Sequence, residues 1–427
     1  MHPGARLPGA LVAAQLCTAL LCLYACDDSE AASDPGLGGG EAEVLPAGAA
    51  HTGGTSRGRL LVADGAQDAT ALQLIDLDTA ELLATLKVAG AARVYPSSDS
   101  RYGFAVQTSA GAVDAIEPGL LFIDHLDHFD LAQGDPAVIA PDRFAIRCPR
   151  PIHFTAHEGW AAAFCDGDGK AYVFSERSVS STLRMLDIDS GRAHHGAALT
   201  ALGHVLVTLP NDANPNDALP VGVKAHDFQG TETARFEGCP ALHGEASTDT
   251  HACFGCSDGI LCLSRQGAGT LAATKIDNPP GTPLDLRVGT LAAGKQGSHF
   301  VGNFGADALA FIDAQSGSLE TLDIGQPVLK FAVTEDGSTL LALTADGQLH
   351  RIDIASRTIT DSAALLPAFA VTPGHGQLRP TFALTYRRAY LVDPRNPAVL
   401  EFDLPDWALT GRNLSLPPGS YHSVAAV

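Results

Sequence analysis

From Gly58 to the C-terminus, short runs of alternating apolar and polar residues are separated by small polar turns. This period of two is typical of half-buried β-strands, and Asp-Gly between two such runs is typical of a hairpin turn. The segment from Leu341 to Asp353 shows the unit clearly, with Asp346-Gly347 between its two strands. Because no segment shows sustained helical periodicity, we predict an all-β fold.

This unit recurs at the spacing of four-stranded propeller blades. New units begin near seven positions: Ala92, Arg150, His194, Leu242, Asp285, Val328 and Leu378. The segment 58–88 offers only three strands, and the C-terminal residues 421–427 can supply the missing innermost strand. Pairing the chain ends in this way leaves no open sheet edge. We therefore predict one β-propeller over residues 58–427, with eight four-stranded blades; seven blades are the alternative, because the segment 95–149 is poorly patterned.

Residues 1–26 are typical of a bacterial lipoprotein signal peptide. The apolar run 10–25 is short for a membrane span and suits the core of a signal peptide. The sequence Leu23-Tyr24-Ala25-Cys26 resembles a lipoprotein processing box and predicts lipidation of Cys26, with an ordinary cleaved signal as the alternative. Residues 27–57 are rich in Gly, Ala, Ser and Glu and predict a flexible tether. Because Asp27 resembles an inner-membrane retention signal, we expect a periplasmic protein anchored by its lipid to the inner membrane.

The charge balance restricts the possible partners. The chain has 27 Lys and Arg against 48 Asp and Glu, a net charge of −21. Such a chain repels phosphate backbones, which argues against nucleic-acid binding. A composition of 45% hydrophobic and 18% charged residues is sufficient for a large core.

Six cysteines follow the predicted signal peptide: Cys148, Cys165, Cys239, Cys253, Cys256 and Cys262. An even number of cysteines in an oxidising compartment indicates disulfides, although spacing alone leaves many connectivities open. The pairs that could link neighbouring antiparallel strands are Cys148–Cys165, Cys239–Cys256 and Cys253–Cys262. A redox or zinc role for Cys253 and Cys256 is the alternative, but the chain lacks a second CxxC pair.

Histidines recur at equivalent places in three consecutive predicted blades. His153, His195 and His243 fall where an innermost strand meets the central channel, and His157, His194 and Glu245 are close to them in sequence. Neutral imidazole is a good zinc ligand, and three histidines can leave a fourth position open. We therefore predict a channel metal site drawn from these six residues. The alternative is that the histidines are structural residues that form hydrogen bonds at strand ends.

A second candidate site lies in the poorly patterned segment. His125, Asp127, His128 and Asp130 place two imidazoles and two carboxylates within six residues. All four are possible zinc ligands, and a solvated acidic loop is the alternative. No phosphate-binding loop, nucleophile elbow or zinc-protease helix motif is present in the sequence.

Several motifs resemble the AztD family of periplasmic zinc metallochaperones. They are Pro151-Ile-His153, Ala193-His-His-Gly196, Cys239-Pro-Ala-Leu-His-Gly-Glu245, Cys253-Phe-Gly-Cys256 and Arg379-Pro-Thr-Phe382. The resemblance runs from about Gly58 to the C-terminus and implies a propeller that carries zinc to the solute-binding protein of a zinc ABC importer. It also implies that the segment 125–130 corresponds to the family's mobile His-x-Asp-His-x-His loop, with Asp130 in place of the last histidine.

We therefore expect a monomeric zinc carrier that is not an enzyme, with Zn²⁺ as cargo. A propeller that scaffolds envelope proteins without a metal is the first alternative. A metal-dependent enzyme with permanently bound zinc is the second.

Overall fold

The computed structural model describes residues 50–52, 56–124, 129–267, 269–283, 286–372 and 376–427. Antiparallel β-strands dominate this part of the chain, so the predicted all-β class is confirmed. Within it, no helix is long and apolar enough to cross a membrane. The predicted signal peptide and its Cys26 lie outside the described residues.

The strands have the following bounds in chain order. The first eleven are β1 (Ala50–Thr52), β2 (Arg59–Asp64), β3 (Ala71–Asp76), β4 (Glu81–Lys87), β5 (Arg93–Pro96), β6 (Gly103–Gln107), β7 (Ala112–Glu117), β8 (Leu120–Asp124), β9 (Phe129–Gln133), β10 (Ala137–Val138) and β11 (Ile146–Arg147). The next twelve are β12 (Pro151–His157), β13 (Trp160–Cys165), β14 (Lys170–Ser175), β15 (Met185–Asp189), β16 (Ala198–Ala201), β17 (His204–Leu209), β18 (Gly222–His226), β19 (Glu232–Glu237), β20 (Glu245–Ser247), β21 (His251–Cys256), β22 (Gly259–Arg265) and β23 (Leu271–Asp277). The remaining strands are β24 (Leu291–Ala293), β25 (His299–Phe304), β26 (Ala308–Asp313), β27 (Ser318–Asp323), β28 (Val328–Val333), β29 (Thr339–Thr344), β30 (Gln348–Asp353), β31 (Thr358–Ala364), β32 (Thr381–Leu384), β33 (Arg388–Asp393), β34 (Asn396–Asp403), β35 (Ala408–Leu409), β36 (Leu414–Ser415) and β37 (Tyr421–Ala426). A short 3₁₀-helix, Glu176–Ser178, follows β14.

Eight sheets form the blades of the propeller. Blade 1 contains β37, β2, β3 and β4, and blades 3 to 7 contain β12–β15, β16–β19, β20–β23, β24–β27 and β28–β31. Blade 2 contains β5, β6 and β7 with the short β10 and β11 at its outer edge, and blade 8 contains β32, β33 and β34 with β35 and β36. The predicted eight-bladed architecture is therefore confirmed.

The burial of each strand follows from its place in the blade. The second strands, such as β6 and β17, are buried along their whole length because neighbouring blades cover both faces. The outermost strands, such as β19, alternate between exposed and half-buried side chains. Apolar clusters join adjacent blades, and Phe104 of blade 2 packs on Phe154 of blade 3 with ring centroids 4.8 Å apart. The core is thus divided among the interfaces between blades.

The two ends of the propeller meet in blade 1. Strand β37 pairs with β2 from Leu60 opposite Ala426 to Asp64 opposite Tyr421. The Arg59 amide donates to the Val427 carbonyl at 2.8 Å, and the Val427 amide donates to the Arg59 carbonyl at 2.9 Å. This is the predicted closure of the ring by the C-terminal strand.

A three-stranded sheet outside the blades accounts for the poorly patterned segment. Strands β8 and β9 form a hairpin inserted after β7, and β1 pairs with the edge of β9 from Ala50 opposite Gln133 to Thr52 opposite Leu131. The sequence analysis placed residues 50–52 in a flexible tether, and the structure differs there. The exposed edge of β9 provides backbone hydrogen-bond partners that such a segment can satisfy.

Candidate metal centre

Three histidines from consecutive blades converge near the central channel. His153 lies on β12, His195 lies in the segment that leads into β16, and His243 lies two residues before β20. These strands are the innermost strands of blades 3, 4 and 5. Each residue offers a ring nitrogen, and the three nitrogens all lie within 4.8 Å of one another. All three side chains are partly exposed, so the group is open to the channel.

The nitrogen separations match those of a tetrahedral zinc site. The Nε2 atoms of His195 and His243 are 3.1 Å apart, and those of His153 and His195 are 3.5 Å apart. Zinc–nitrogen bonds of about 2.0–2.1 Å at tetrahedral angles place two ligand nitrogens roughly 3.3 Å apart. These two separations are compatible with a three-histidine zinc site, and all three nitrogens lie within 4.8 Å of one another.

The opposite nitrogen of each ring has a hydrogen-bond acceptor. His153 Nδ1 donates to Glu245 Oε1 at 3.1 Å, His195 Nδ1 donates to Asp166 Oδ2 at 2.7 Å, and His243 Nδ1 donates to the Gly289 carbonyl at 2.5 Å. Because carboxylate and carbonyl oxygens only accept, each Nδ1 carries a proton, and each Nε2 presents a lone pair when the ring is neutral. Facing lone pairs repel one another, and a metal cation coordinated by all three removes that repulsion. Acceptors behind metal-binding imidazoles fix the tautomer and the ring orientation.

Burial and charge act differently on the members of this group. Burial alone would lower the pKa of His153, but the charge of Glu245 and its hydrogen bond outweigh burial and raise that pKa above its ordinary value. Burial lowers the pKa of His243, and the neighbouring His153 and His195 lower it further. Burial alone would raise the pKa of Glu245, but the hydrogen bond from His153 and the charges of His153, His243 and His195 together bring that pKa below its ordinary value. The carboxylate is therefore held in the charged form that stabilises a cation at the three rings.

A small recess lies beside the three rings. Gly196, Ala197, Leu242 and Gly244 line it together with the histidines and Glu245. Its cavity volume of about 10 Å³ is close to the space that one water molecule needs. The recess can therefore hold a single small ligand at a fourth coordination position.

Two further predicted channel ligands lie elsewhere. His194 is buried, with Nε2 at 2.9 Å from the Thr208 hydroxyl oxygen and Nδ1 at 2.9 Å from the Arg192 carbonyl oxygen. His157 lies at the opposite end of β12 from His153, where its Nδ1 is 3.9 Å from a carboxylate oxygen of Glu158. The structure brings neither residue into the three-histidine group.

The predicted loop site falls largely outside the described residues. His125, Asp127 and His128 belong to the segment between β8 and β9 that the structure does not describe. Asp130 lies on β9 opposite Ile123 of β8. The loop site therefore stays a prediction.

The structure brings the six cysteines together in the three predicted pairs. Cys148 pairs with Cys165, Cys239 with Cys256, and Cys253 with Cys262, with Cα–Cα separations of 6.2, 4.9 and 4.1 Å. The first two pairs lie next to the metal group, because Cys165 precedes Asp166 and the segment from Cys239 leads to His243. The third pair joins β21 to β22 within blade 5.

Asp166 is a site residue that the sequence analysis missed. It follows β13 in the sequence Asp166-Gly-Asp-Gly169, which has the ordinary signature of a hairpin turn. Gly169 has a φ of +72°, and a Cβ there would lie 2.0 Å from the Arg192 carbonyl oxygen, so only glycine allows the close approach to the segment that carries His195. The position of Asp166 directly after Cys165 was the one sequence feature that could have indicated its role. Its contact with His195 depends on packing between blades, which the sequence pattern does not show.

Comparisons with known proteins support the resemblance that the motifs predicted. No family model matches the chain. The chain is 28% identical over 352 residues to the zinc chaperone AztD of Citrobacter koseri, covering 81% of each protein. A crystal structure of Citrobacter koseri AztD superimposes with a TM-score of 0.77 and 27% identity, covering 86% of this chain and 97% of that one. The predicted similarity to AztD is therefore confirmed.

A more distant solved structure supports the architecture alone. The dihydro-heme d1 dehydrogenase NirN matches with a TM-score of 0.58 at 14% identity, covering 86% of this chain and 74% of that one. At this level of identity the match is evidence for a shared fold and for nothing else.

Proposed function

We propose that this chain is an extracytoplasmic zinc metallochaperone that delivers zinc to the solute-binding protein of a zinc ABC importer. The observation that carries the proposal is the convergence of three histidine ring nitrogens within 4.8 Å of one another, with an acceptor on the Nδ1 of each ring. The similarity to the zinc chaperone AztD of Citrobacter koseri supports the same cargo.

The geometry fits a carrier better than a closed structural zinc site. Three protein ligands leave a fourth position open, and a ligand of the recipient can enter there before the histidines release the metal. His125, Asp127 and His128 would then capture zinc or pass it on, with Asp130 as a weaker fourth member of the loop. Transfer by direct ligand exchange avoids releasing zinc to competing ligands in solution.

The proposed location follows from the N-terminal sequence and the cysteine pairs. We infer that residues 1–26 direct export, that lipidation of Cys26 anchors the protein to the inner membrane, and that residues 27–57 connect the anchor to the propeller. Three cysteine pairs at bonding distance support an oxidising compartment. A recipient solute-binding protein would occupy the same compartment.

A zinc titration against a chromophoric chelator of known affinity tests the proposal. We expect wild-type protein to bind one tight equivalent, and His153→Ala/His195→Ala/His243→Ala to lose it without a change in fold. His299→Ala is the matched control, because this histidine is exposed on blade 6 and lies outside the group. A folded wild-type protein that binds no zinc tightly would leave only the scaffolding alternative.

Exchange kinetics separate a carrier from a zinc enzyme. Zinc-loaded protein mixed with a metal-free solute-binding protein should lose its zinc to that partner faster than it loses zinc to a chelator of equal affinity. Zinc that stays bound in the presence of the partner would contradict the carrier role and favour a resident metal.

A further inference from the structure

A second and larger cavity adjoins the metal group inside the channel. Arg93, Arg287 and Arg379 line it, together with Thr290, Asn303 and Gln377, and its volume is about 500 Å³. His243 and Gly289 belong to its wall, so the cavity begins where the three-histidine group ends. This volume lies within the usual range of small-molecule sites.

The three guanidinium groups lack carboxylate partners. None of the carboxylates that the structure describes forms an ion pair with Arg93, Arg287 or Arg379. Arg287 donates to the Ala241 carbonyl at 2.5 Å, and Arg379 donates to the Thr372 carbonyl at 3.5 Å, which leaves most of their donors free. By contrast, Arg388 and Arg412 both pair with the buried Glu401 on blade 8.

A fourth cation strengthens the positive charge of the channel. Lys330 lies on β28, the innermost strand of blade 7, and its side chain is exposed to the channel. A chain with a net charge of −21 thus gathers unpaired cations at its centre. Like charges held together in a confined space repel, and an anion between them relieves that repulsion.

We propose that this cavity binds a small oxyanion with two or more negative charges, of the polycarboxylate or phosphate class. Guanidinium groups present paired donors that match the oxygens of carboxylate and phosphate. The hydroxyl of Thr290 and the side-chain amides of Asn303 and Gln377 supply neutral polar groups along the same wall. The cavity shares His243 with the zinc group, and neither His153 nor His195 lines it.

The anion site and the proposed zinc site should influence each other, and this step rests on the proposed function. A dianion beside His243 lowers the electrostatic cost of a divalent cation at the three rings, and one of its oxygens can approach the open coordination position. Linkage requires that zinc raise the affinity for the anion by the same factor by which the anion raises the affinity for zinc. We expect a coupling factor of roughly 5- to 150-fold.

Calorimetry on the full chain tests the site. Metal-free protein is titrated with propane-1,2,3-tricarboxylate, a weak zinc chelator, and separately with inorganic phosphate. We expect one equivalent of at least one anion to bind, and Arg93→Gln/Arg287→Gln/Arg379→Gln to weaken binding at least about 100-fold, because charge-assisted hydrogen bonds are lost. The three single variants should each show a smaller loss, which keeps the test valid if the triple variant folds poorly.

The matched control removes the same charge from the outer surface. Arg143→Gln/Arg177→Gln/Arg265→Gln alters three exposed arginines and should bind the anion like the wild type. Tighter binding of tricarboxylate or of phosphate identifies the preferred class, and either result supports the proposal. The proposal would be overturned if neither anion binds, or if the two triple variants bind the anion equally well. An aspartate-rich tetrapeptide is titrated as a third ligand, and binding of this peptide alone would also overturn the proposal.

Zinc titrations on the same samples separate the two proposals. Anion binding by metal-free protein that takes up no zinc would leave the anion site standing and remove the zinc function. The protein could instead bind zinc but neither anion, with a zinc affinity that the arginine substitutions do not change. That result would support the zinc function and remove the anion site. Anion binding that one equivalent of zinc does not alter would overturn the coupling alone.

Discussion

At the scale of single residues, Asp166 decides how well His195 can bind a metal. Its Oδ2 accepts the Nδ1 proton of His195 at 2.7 Å, which directs the Nε2 lone pair to the other two rings. In Asp166→Asn the side chain loses its charge and can donate to Nδ1, which favours the opposite tautomer. We expect zinc affinity to fall roughly 10- to 100-fold, measured by chelator competition.

Asp168→Asn is the control for this variant, because Asp168 lies in the same turn. Its Oδ1 accepts from the Lys170 amide at 3.2 Å, and it contacts no member of the metal group. Zinc affinity should remain unchanged in Asp168→Asn. An equal loss in both variants would show that the turn matters as a whole and that the Asp166–His195 hydrogen bond has no specific role.

The spacing of histidines in the sequence predicted only part of the metal group. His153, His195 and His243 recur at blade spacing, which is visible in the sequence. His194 and His195 are adjacent in the sequence, but one faces Thr208 and the other faces the channel. That difference depends on how the segment between blades 3 and 4 turns, which no local pattern encodes.

At the scale of elements, two cysteine pairs support the segments that carry the site. Cys148–Cys165 joins the segment before β12 to the strand that precedes Asp166, and Cys239–Cys256 ties the segment leading to His243 to β21. Cys253–Cys262 lies within one hairpin and holds no metal-site segment. We expect Cys148→Ser/Cys165→Ser and Cys239→Ser/Cys256→Ser to weaken zinc binding, and Cys253→Ser/Cys262→Ser to leave it close to wild type.

Stability measurements make the third pair a matched control. The paired cysteines are separated by 17, 17 and 9 positions in the sequence, so loop-closure entropy differs little among the three pairs. The three double variants should lose unfolding free energy to within about 1 kcal/mol of one another, as measured by denaturant titration. If zinc affinity falls in proportion to the loss of unfolding free energy in all three double variants, the first two cysteine pairs have no specific role in holding the metal site.

Hairpin register explains why the pair Cys253–Cys262 was predictable and the extra sheet was not. Cys253 and Cys262 are direct partners in the β21–β22 ladder, a relation that follows from the strand lengths and the turn between them. The pairing of β1 with β9 joins segments about 80 residues apart and depends on an inserted hairpin. Short strands such as β10 and β11 carry too few residues to show a period of two.

At the scale of the whole molecule, the ring depends on its last strand. Deletion of residues 420–427 removes β37 and leaves the inner edge of β2 unpaired. Because an exposed strand edge is a template for association, we expect a lower unfolding temperature and aggregation, measured by thermal circular dichroism and size-exclusion chromatography. A truncated protein that stays monomeric with an unchanged unfolding temperature would show that the closure contributes little.

A circular permutant is the control for this truncation. It joins Val427 to Gly58 through a short linker and opens the chain at Gly325, which lies in the turn between blades 6 and 7. All eight blades keep their strands, so we expect near wild-type stability. The ring closure was predictable because the segment 58–88 lacks a fourth strand. The cluster of arginines in the channel was not predictable, because it forms only in the full ring and the net charge of the chain does not indicate it.

The pairing of β2 with β37 also sets an order of events during synthesis. Arg59 and Val427 exchange two backbone hydrogen bonds, so the first blade has no innermost strand until the final residues of the chain exist. Contacts of such long sequence separation form late in folding. A nascent chain therefore remains an open array of blades until its translation ends. Ring closure is therefore necessarily a late step, and the inner edge of β2 stays unpaired throughout synthesis.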